Sequence, residues 1–382
     1  MQQTAANDAY FGEVVVGCAQ GLDIVVISED EVLIQFGTRS RPSELLRDTD
    51  LKGFLGGIME SVLRGPATVA QLVSSVRPED RAEVLDLIKN LIERGILADV
   101  RLDPVEQYLG YTFSGKGALS DKTIGLVGIG PIGTRIAFSL LQHGAGKVLL
   151  LDDRLVDPTW TKFAPFVPAS GTSPPQKVAE FVQDYLVSCG CDRAEIIAEP
   201  MNATGLQQVV PRADLIVLAL ERPIISLPQL LNRLCLRERV PWMLVAIDGN
   251  FGLIGPLFIP TSTACYNDYR TLSDAAAPSP HMARKHRRYL STRGLGSFFS
   301  GLPTYAEIVA SHAALGALHY LLRETCFAIG RVLVIDFDRM TLELEDVLKL
   351  PRCPVCGDKT LYRPLFMAET LHSDKESPDH HA

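Results

Sequence analysis

The sequence predicts an α/β protein in which a winged-helix-like α+β unit precedes a doubly wound, mostly parallel sheet. Three observations carry that prediction. Residues 123–153, TIGLVGIGPIGTRIAFSLLQHGAGKVLLLDD, read as strand, glycine turn, helix and strand, the turn being Gly128-Ile-Gly130-Pro-Ile-Gly133. Apolar runs then alternate with helical patterns as far as residue 247, as the crossovers of a parallel sheet require. Residues 1–104, by contrast, hold short β-rich runs and three helical stripes.

Composition sets the outer bounds. A chain of 382 residues has room for two domains, and 47% hydrophobic with 21% charged residues is the balance of an ordinary globular protein. The formal charge of −8 and the pI near 5.6 argue against a nucleic-acid binder, whose footprint is basic. No run of 18 apolar residues occurs, and MQQTAANDAYFGE has neither the basic start nor the apolar stretch of a signal peptide. The expectation is a cytoplasmic protein with no membrane contact. Eight cysteines are too few for a disulfide scaffold in so long a chain, so metal binding by a subset is the better expectation.

Within residues 1–104, the runs at 13–16, 22–27 and 32–36 predict a three-stranded antiparallel meander, with turns at Gln20-Gly21 and at residues 28–31. Leu51, Phe54, Leu55, Ile58, Met59, Val62 and Leu63 share one helical face. A short second helix is expected over 68–76. A third, over 78–94, has Val84, Leu85, Ile88, Leu91 and Ile92 as its apolar stripe and Gly95 as its stop. The default role of such a unit is DNA binding, but acid outnumbers base on the third helix and would repel phosphate. Two readings remain: the unit accepts an extended peptide by strand addition, or it packs onto the second domain.

Residues 105–120 are polar and glycine-bearing and read as a linker to a second domain at 121–372. After the glycine turn come a Pro/Ser/Gly loop at 167–175, a helix over 176–188, runs at 194–198 and 213–220, a helix over 228–239 and a run at 242–247. The cluster Arg284-Lys-His-Arg-Arg288 reads as a solvated loop or a partner contact. A helix over 304–324, strands at 331–337 and 341–344, a Cys353-Pro-Val-Cys356-Gly turn and a charged, frayed tail at 373–382 complete the chain.

Two constellations could carry chemistry. Gly128, Gly130 and Gly133 let a phosphate approach the backbone at the positive end of the next helix, or they merely let helix and strand pack closely. Asp152, ending the second strand, is placed for a ribose or for a cap, and Lys177 for a phosphate or for solvent; His143 reads as a helix C-terminal cap. Cys353 and Cys356 form half of a tetrahedral thiolate site on one tight turn. Cys265 is the natural third ligand and Asp268, three residues on, a candidate fourth. Either these hold zinc, or the site is degenerate and metal-free.

With GIGPIGTRIAFSLLQHGAGKVLLLDDRLVD, ADLIV, GPLFIPTSTAC and CPVCG in that order, residues 120–357 resemble the ThiF-like family, relatives of the ubiquitin-activating enzymes with a Rossmann-type sheet. The N-terminal unit looks like a precursor-peptide recognition element of ribosomal-peptide modification. Together the two halves are similar to the leader-peptide-binding component of azole-forming cyclodehydratases, which works with a separate YcaO-type ATP-using enzyme.

The resemblance implies a site and a role. Active ThiF-like relatives adenylate a carboxylate, using an arginine in a VDxSNLxRQ-type segment and an aspartate in an ATDN-type segment. Here Phe163 and Glu221 stand at those positions, with Arg222 at the asparagine. A phenyl ring offers a phosphate no charge, so ATP is not expected to be used by this chain, and Gly128, Gly130, Gly133, Asp152 and Lys177 become a vestigial nucleotide site. The family's paired CxxC motifs put zinc on Cys265, Cys353 and Cys356, with Asp268 replacing one thiolate. The leader would add as a strand beside the third run, at Val32, Leu33, Ile34 and Gln35, and lie against Val84, Ile88 and Leu91. The expected function is to bind a precursor leader peptide and present the core to a YcaO-type cyclodehydratase for azoline formation, without a catalytic residue of its own. An azoline dehydrogenase is a further implied partner and a homodimer the implied assembly. The alternative is an ATP-dependent adenylating enzyme acting on a peptide or carrier-protein carboxylate; a nicotinamide-dependent oxidoreductase has no support from CPVCG or the front unit.

Overall fold

The computed structural model describes residues 11–37, 39, 43–112, 118–156, 176–221, 224–293 and 301–357. Phe163, Arg222, the loop at 167–175 and the tail at 373–382 lie outside the described residues. The chain divides into two compact units, 1–118 and 119–382.

In the first unit, β1 (Val15–Cys18) pairs antiparallel with β5 (Ala67–Thr68) and β6 (Leu97–Asp99), and β2 (Asp23–Val26), β3 (Glu31–Gln35) and β4 (Glu44–Arg47) form a second antiparallel sheet in that order. The expected meander is therefore corrected. β2 and β3 do form a hairpin, but the third strand is β4, while both edges of β1 are taken by strands of two and three residues. Strands that short carry no alternating pattern from which to read them.

Helices α1 (Phe54–Arg64), α2 (Val69–Ser74) and α3 (Arg81–Glu93) stand where the sequence predicts them. A capping box opens α2: Thr68 Oγ1 accepts the Gln71 amide at 3.1 Å and Gln71 Oε1 accepts the Thr68 amide at 2.8 Å. Val16, Val32, Ile34, Met59, Val84, Ile88 and Leu91 form the core of this unit, none more than 1% exposed. The expected linker is corrected in its first half, where α4 (Pro104–Thr112) places the rings of Tyr108 and Tyr111 at 5.7 and 5.3 Å from Phe36. Two aromatic anchors inside an otherwise polar stretch hold it to the unit.

The second unit is built on an eight-stranded sheet of order β14-β13-β12-β11-β10-β7-β8-β9. β7 (Thr123–Val127), β8 (Lys147–Leu151), β9 (Ala194–Ile196), β10 (Leu215–Leu220) and β11 (Trp242–Asp248) run parallel, and β12 (Phe251–Phe258), β13 (Arg331–Asp336) and β14 (Thr341–Asp346) extend the sheet antiparallel. β10, LIVLAL, is buried along its whole length, which is why it reads as an unbroken apolar run. The parallel part winds outward from β7 in both directions, so the C-terminal end of β7 is the switch point at which such sheets open a crevice.

The helices of this unit are α5 (Pro131–Gln142), α6 (Val178–Ser188), α7 (Ala203–Val209), α8 (Leu227–Glu238), α9 (Tyr266–Ala276), α10 (Pro280–Arg293) and α11 (Pro303–Arg323). The basic cluster at 284–288, expected as a loop, lies on α10. Its residues are good helix formers after an N-terminal proline, and an Arg287–Asp274 ion pair ties it to α9, so a helix forms without a regular stripe. Among the described residues no helix is long and apolar enough to cross a membrane.

Candidate functional site

The glycine turn leaves β7 through Gly128, whose φ of +83° and close approach to the Ala219 carbonyl (2.1 Å from where a Cβ would stand) admit only glycine. Gly130 then caps α5, with Pro131 at the first helical position, so free amides of the helix end face the turn. A Cβ at Gly133 would lie 2.2 Å from the Gly128 carbonyl, which draws the helix tight against the strand.

The anion meeting those amides belongs to the chain itself. Glu221, the residue after β10, is 2% exposed, and its Oε1 accepts the Ile132 amide at 3.0 Å. A Cβ at Gly130 would stand 2.1 Å from its Oε2. Glutamate is one methylene longer than the aspartate of the ATDN-type segment, and the extra reach brings its carboxylate to the helix end. The seat for a phosphate is thereby filled by a carboxylate satisfying the same amide and the same helix dipole.

Asp152 is equally enclosed. Its carboxylate accepts the Ile129 amide at 2.7 Å, the Arg154 amide at 3.1 Å, and the Arg154 guanidinium at 2.8 and 2.5 Å. Arg154 also lies 3.9 Å from Glu221 Oε2, an atom with no hydrogen-bond partner. One guanidinium thus serves two buried carboxylates. Burial pushes the Glu221 carboxyl above the usual carboxylate range, with Arg154 pulling the other way. Burial also opposes the charge on Arg154, but the Asp152 carboxylate outweighs it and holds the guanidinium above its ordinary value.

Lys177 caps α6, and its backbone bridges to Leu155 beside Arg154. The fold therefore gathers Gly128, Gly130, Gly133 and Asp152, with the Lys177 backbone on the adjoining segment. Arg154 is the residue missed from sequence, although the Asp-Asp-Arg spelling after β8 places a cation two residues from Asp152. The Ile132 amide, which a phosphate at this turn would use, is held by Glu221.

A second cluster lies in the same unit. One ligand atom each from Cys265, Asp268, Cys353 and Cys356 lies within 4.8 Å of all the others. Cys265 caps α9 and Asp268 stands in its first turn, while Cys353 and Cys356 share the tight turn beyond β14. The Cys265 and Cys353 sulfurs are 3.7 Å apart, close to the ~3.8 Å edge of a tetrahedron with zinc–sulfur bonds of about 2.3 Å. Asp268 is fully buried. Its Oδ2 accepts the Cys265 amide at 2.9 Å and the Cys356 thiol at 3.1 Å, while Oδ1 has no partner.

Burial raises both the Cys265 and Cys356 thiols, and the Asp268 carboxylate adds to the effect at Cys356. A buried carboxylate oxygen left unsatisfied among three thiols is costly as it stands, and the four donors could hold a metal ion. Bound there, an ion displaces the thiol protons and fastens the turn beyond β14 to the start of α9.

The residues expected to hold a leader are placed differently. Val32, Ile34, Val84, Ile88 and Leu91 form the core of the first unit, Leu33 and Gln35 are half-buried, and β3 has β2 on one edge and β4 on the other. Strand addition beside β3 is corrected, because both rows of its backbone groups already have partners. The open edge is β4, which among the described residues pairs with β3 alone. It lies beside α3, whose C-terminal cap Arg94 is paired with Glu44.

Fold and sites together define a class: a doubly wound domain with a glycine turn at its switch point and a Cys/Asp cluster, preceded by a small α+β unit. Residues 107–355 match the ThiF family, and the chain belongs to that family. Among solved structures, E. coli MccB with MccA-N7isoASN is similar, at 16% identity and a TM-score of 0.60 over 90% of this chain and 100% of that one. The microcin C7 biosynthetic enzyme MccB in complex with N-formylated MccA gives the same figures. A heterocyclase in complex with substrate and cofactor matches at 15% identity and a TM-score of 0.59, over 91% of this chain and 40% of that one. Identities this low establish a shared fold. No curated protein sequence matches the chain.

Proposed function

We propose that this ThiF-family chain is the leader-peptide-binding partner in a ribosomal-peptide modification, presenting a precursor to a separate YcaO-type cyclodehydratase that forms the azolines. The observation that carries the reading is Glu221 at the head of α5: the scaffold keeps its architecture, but its phosphate seat holds a side chain. MccB, which shares the fold, was solved with its peptide MccA, and the similar heterocyclase with its substrate. The leader adds as a strand to β4, at Glu44, Leu45, Leu46 and Arg47, using backbone groups that no other strand takes. Tethering the leader raises the local concentration of the core at the partner enzyme, into the millimolar range for a short flexible link. Zinc at Cys265, Asp268, Cys353 and Cys356 is structural in this reading.

Calorimetry of the full chain against the leader of a precursor encoded nearby tests it. Micromolar or tighter binding is expected. The same peptide N-methylated at alternate residues, which deletes main-chain donors while keeping every side chain, is expected to lose it. Unchanged affinity of the methylated peptide would rule out strand addition.

A second reading, adenylation of a peptide or carrier-protein carboxylate, has one observation in its favour: Glu221 Oε2 is a buried, partnerless oxygen beside Arg154. Peptide-stimulated exchange of pyrophosphate into ATP by the isolated chain would establish that reading and sink the first.

A further inference from the structure

Between the N-terminus of α8 and the helices α9 and α10 lies a cavity of about 650 Å³, lined in part by Arg270, Arg284, Arg287 and Arg288, with Asp274 as its one carboxylate among the described residues. Four guanidinium groups at one cavity stand out in a chain of formal charge −8. Arg287 is engaged by Asp274. The Nε of Arg270 is buried and has no hydrogen-bond partner.

The end of α8 adds to the same field. Ser226 and Gln229 line the cavity, Ser226 provides no side-chain cap, and the first turn of this 12-residue helix holds no acidic residue. The dipole of this helix end favours an anion. α10, PHMARKHRRYLSTR, carries no acid at all. A cation or an apolar ligand would meet repulsion or desolvated charge here.

We propose that this cavity binds a phosphate-bearing small molecule, held by Arg270 and Arg284 and by the N-terminus of α8, on residues distinct from those of the glycine turn. The volume is that of an ordinary small-molecule site. Guanidinium forks match phosphate oxygens two at a time, and helix ends favour the same anion. The cavity volume is that of a compact ligand, which favours a small molecule over an acidic peptide. The inference stands whether or not the chain binds a leader.

The test is calorimetry of the full chain with inorganic pyrophosphate and with ATP at low ionic strength, where the attraction is least screened. Saturable binding is expected, weakened about tenfold or more in Arg284→Gln and in Arg270→Gln, since a lost charge-assisted contact is worth at least ~1.4 kcal/mol. Arg284 is exposed, so that variant keeps its fold even if Arg270→Gln does not. Glu221→Gln is expected to bind pyrophosphate as the parent does. Tighter binding of ATP than of pyrophosphate adds a hold on the nucleoside, and equal binding assigns the affinity to the phosphates alone; both support the site. Absence of heat with both probes, parent-like affinity in Arg284→Gln, or a gain in affinity in Glu221→Gln, which would assign the anion to the glycine turn, would overturn it. So would a triglutamate peptide that binds at least as tightly as pyrophosphate, which would assign the cavity to an acidic peptide.

Discussion

At the level of single residues, Glu221 closes the glycine turn of the second unit. Its carboxyl is held above the usual range by burial, so the folded state binds its proton more tightly than the unfolded chain does. Stability from this group is therefore present at acidic pH and falls as pH rises through the ordinary carboxylate range toward the raised value. Glu221→Gln keeps an acceptor for the Ile132 amide and removes the ionisation. Denaturant titrations are expected to show parent and variant alike in acid, with the variant gaining stability over the parent toward neutral pH. A constant difference at all pH values would refute the assignment. Gly130→Ala is expected to displace the Glu221 side chain and destabilise the unit by roughly 1–3 kcal/mol, seen as a lower midpoint at unchanged slope. Gly128, Gly130, Gly133 and Asp152 were legible in the sequence because the fingerprint is local. That Glu221 closes the turn was not, since it arrives from 89 positions away in the chain.

Among the elements, α1, α2 and α3 of the first unit were legible, α4 was not, and the strands were only partly so. A 3.6-residue stripe identifies α1 and α3 without reference to any partner, whereas β4, β5 and β6 exist because β3 and β1 offer them an edge. The stripe of α3 likewise marks burial without saying what covers it: Val84, Ile88 and Leu91 face the unit's own core. Leu91→Ala is expected to cost about 2–5 kcal/mol of folding stability with or without peptide, measured by chemical denaturation. Leu45→Asp on exposed β4 is expected to leave stability within about 0.5 kcal/mol while weakening leader binding. The opposite pattern, with Leu91→Ala folding normally and losing only the leader, would restore the α3 stripe as the contact surface.

For the whole molecule, the Cys265, Asp268, Cys353 and Cys356 cluster joins the start of α9 to the turn beyond β14, positions 88 apart in the chain. One zinc per chain is expected by elemental analysis. Chelation, or Cys353→Ser, is expected to lower the melting temperature by about 2–4 °C for each kcal/mol lost, while Asp268→Cys keeps the metal. A metal-free protein whose melting ignores chelator would show the cluster to be degenerate.

From its sequence alone this chain determined what local pattern can encode: the alternation of strands and helices, the glycine turn, the half-site of thiols and the net charge of −8. These follow from periodicity and residue chemistry within a few turns of chain, so they need no knowledge of partners. Only the tertiary structure decided which strand takes the free edge, which carboxylate fills the phosphate seat and where four arginines converge. Each is a contact between distant segments, chosen when the sheets and helices pack as wholes, and no local propensity specifies it.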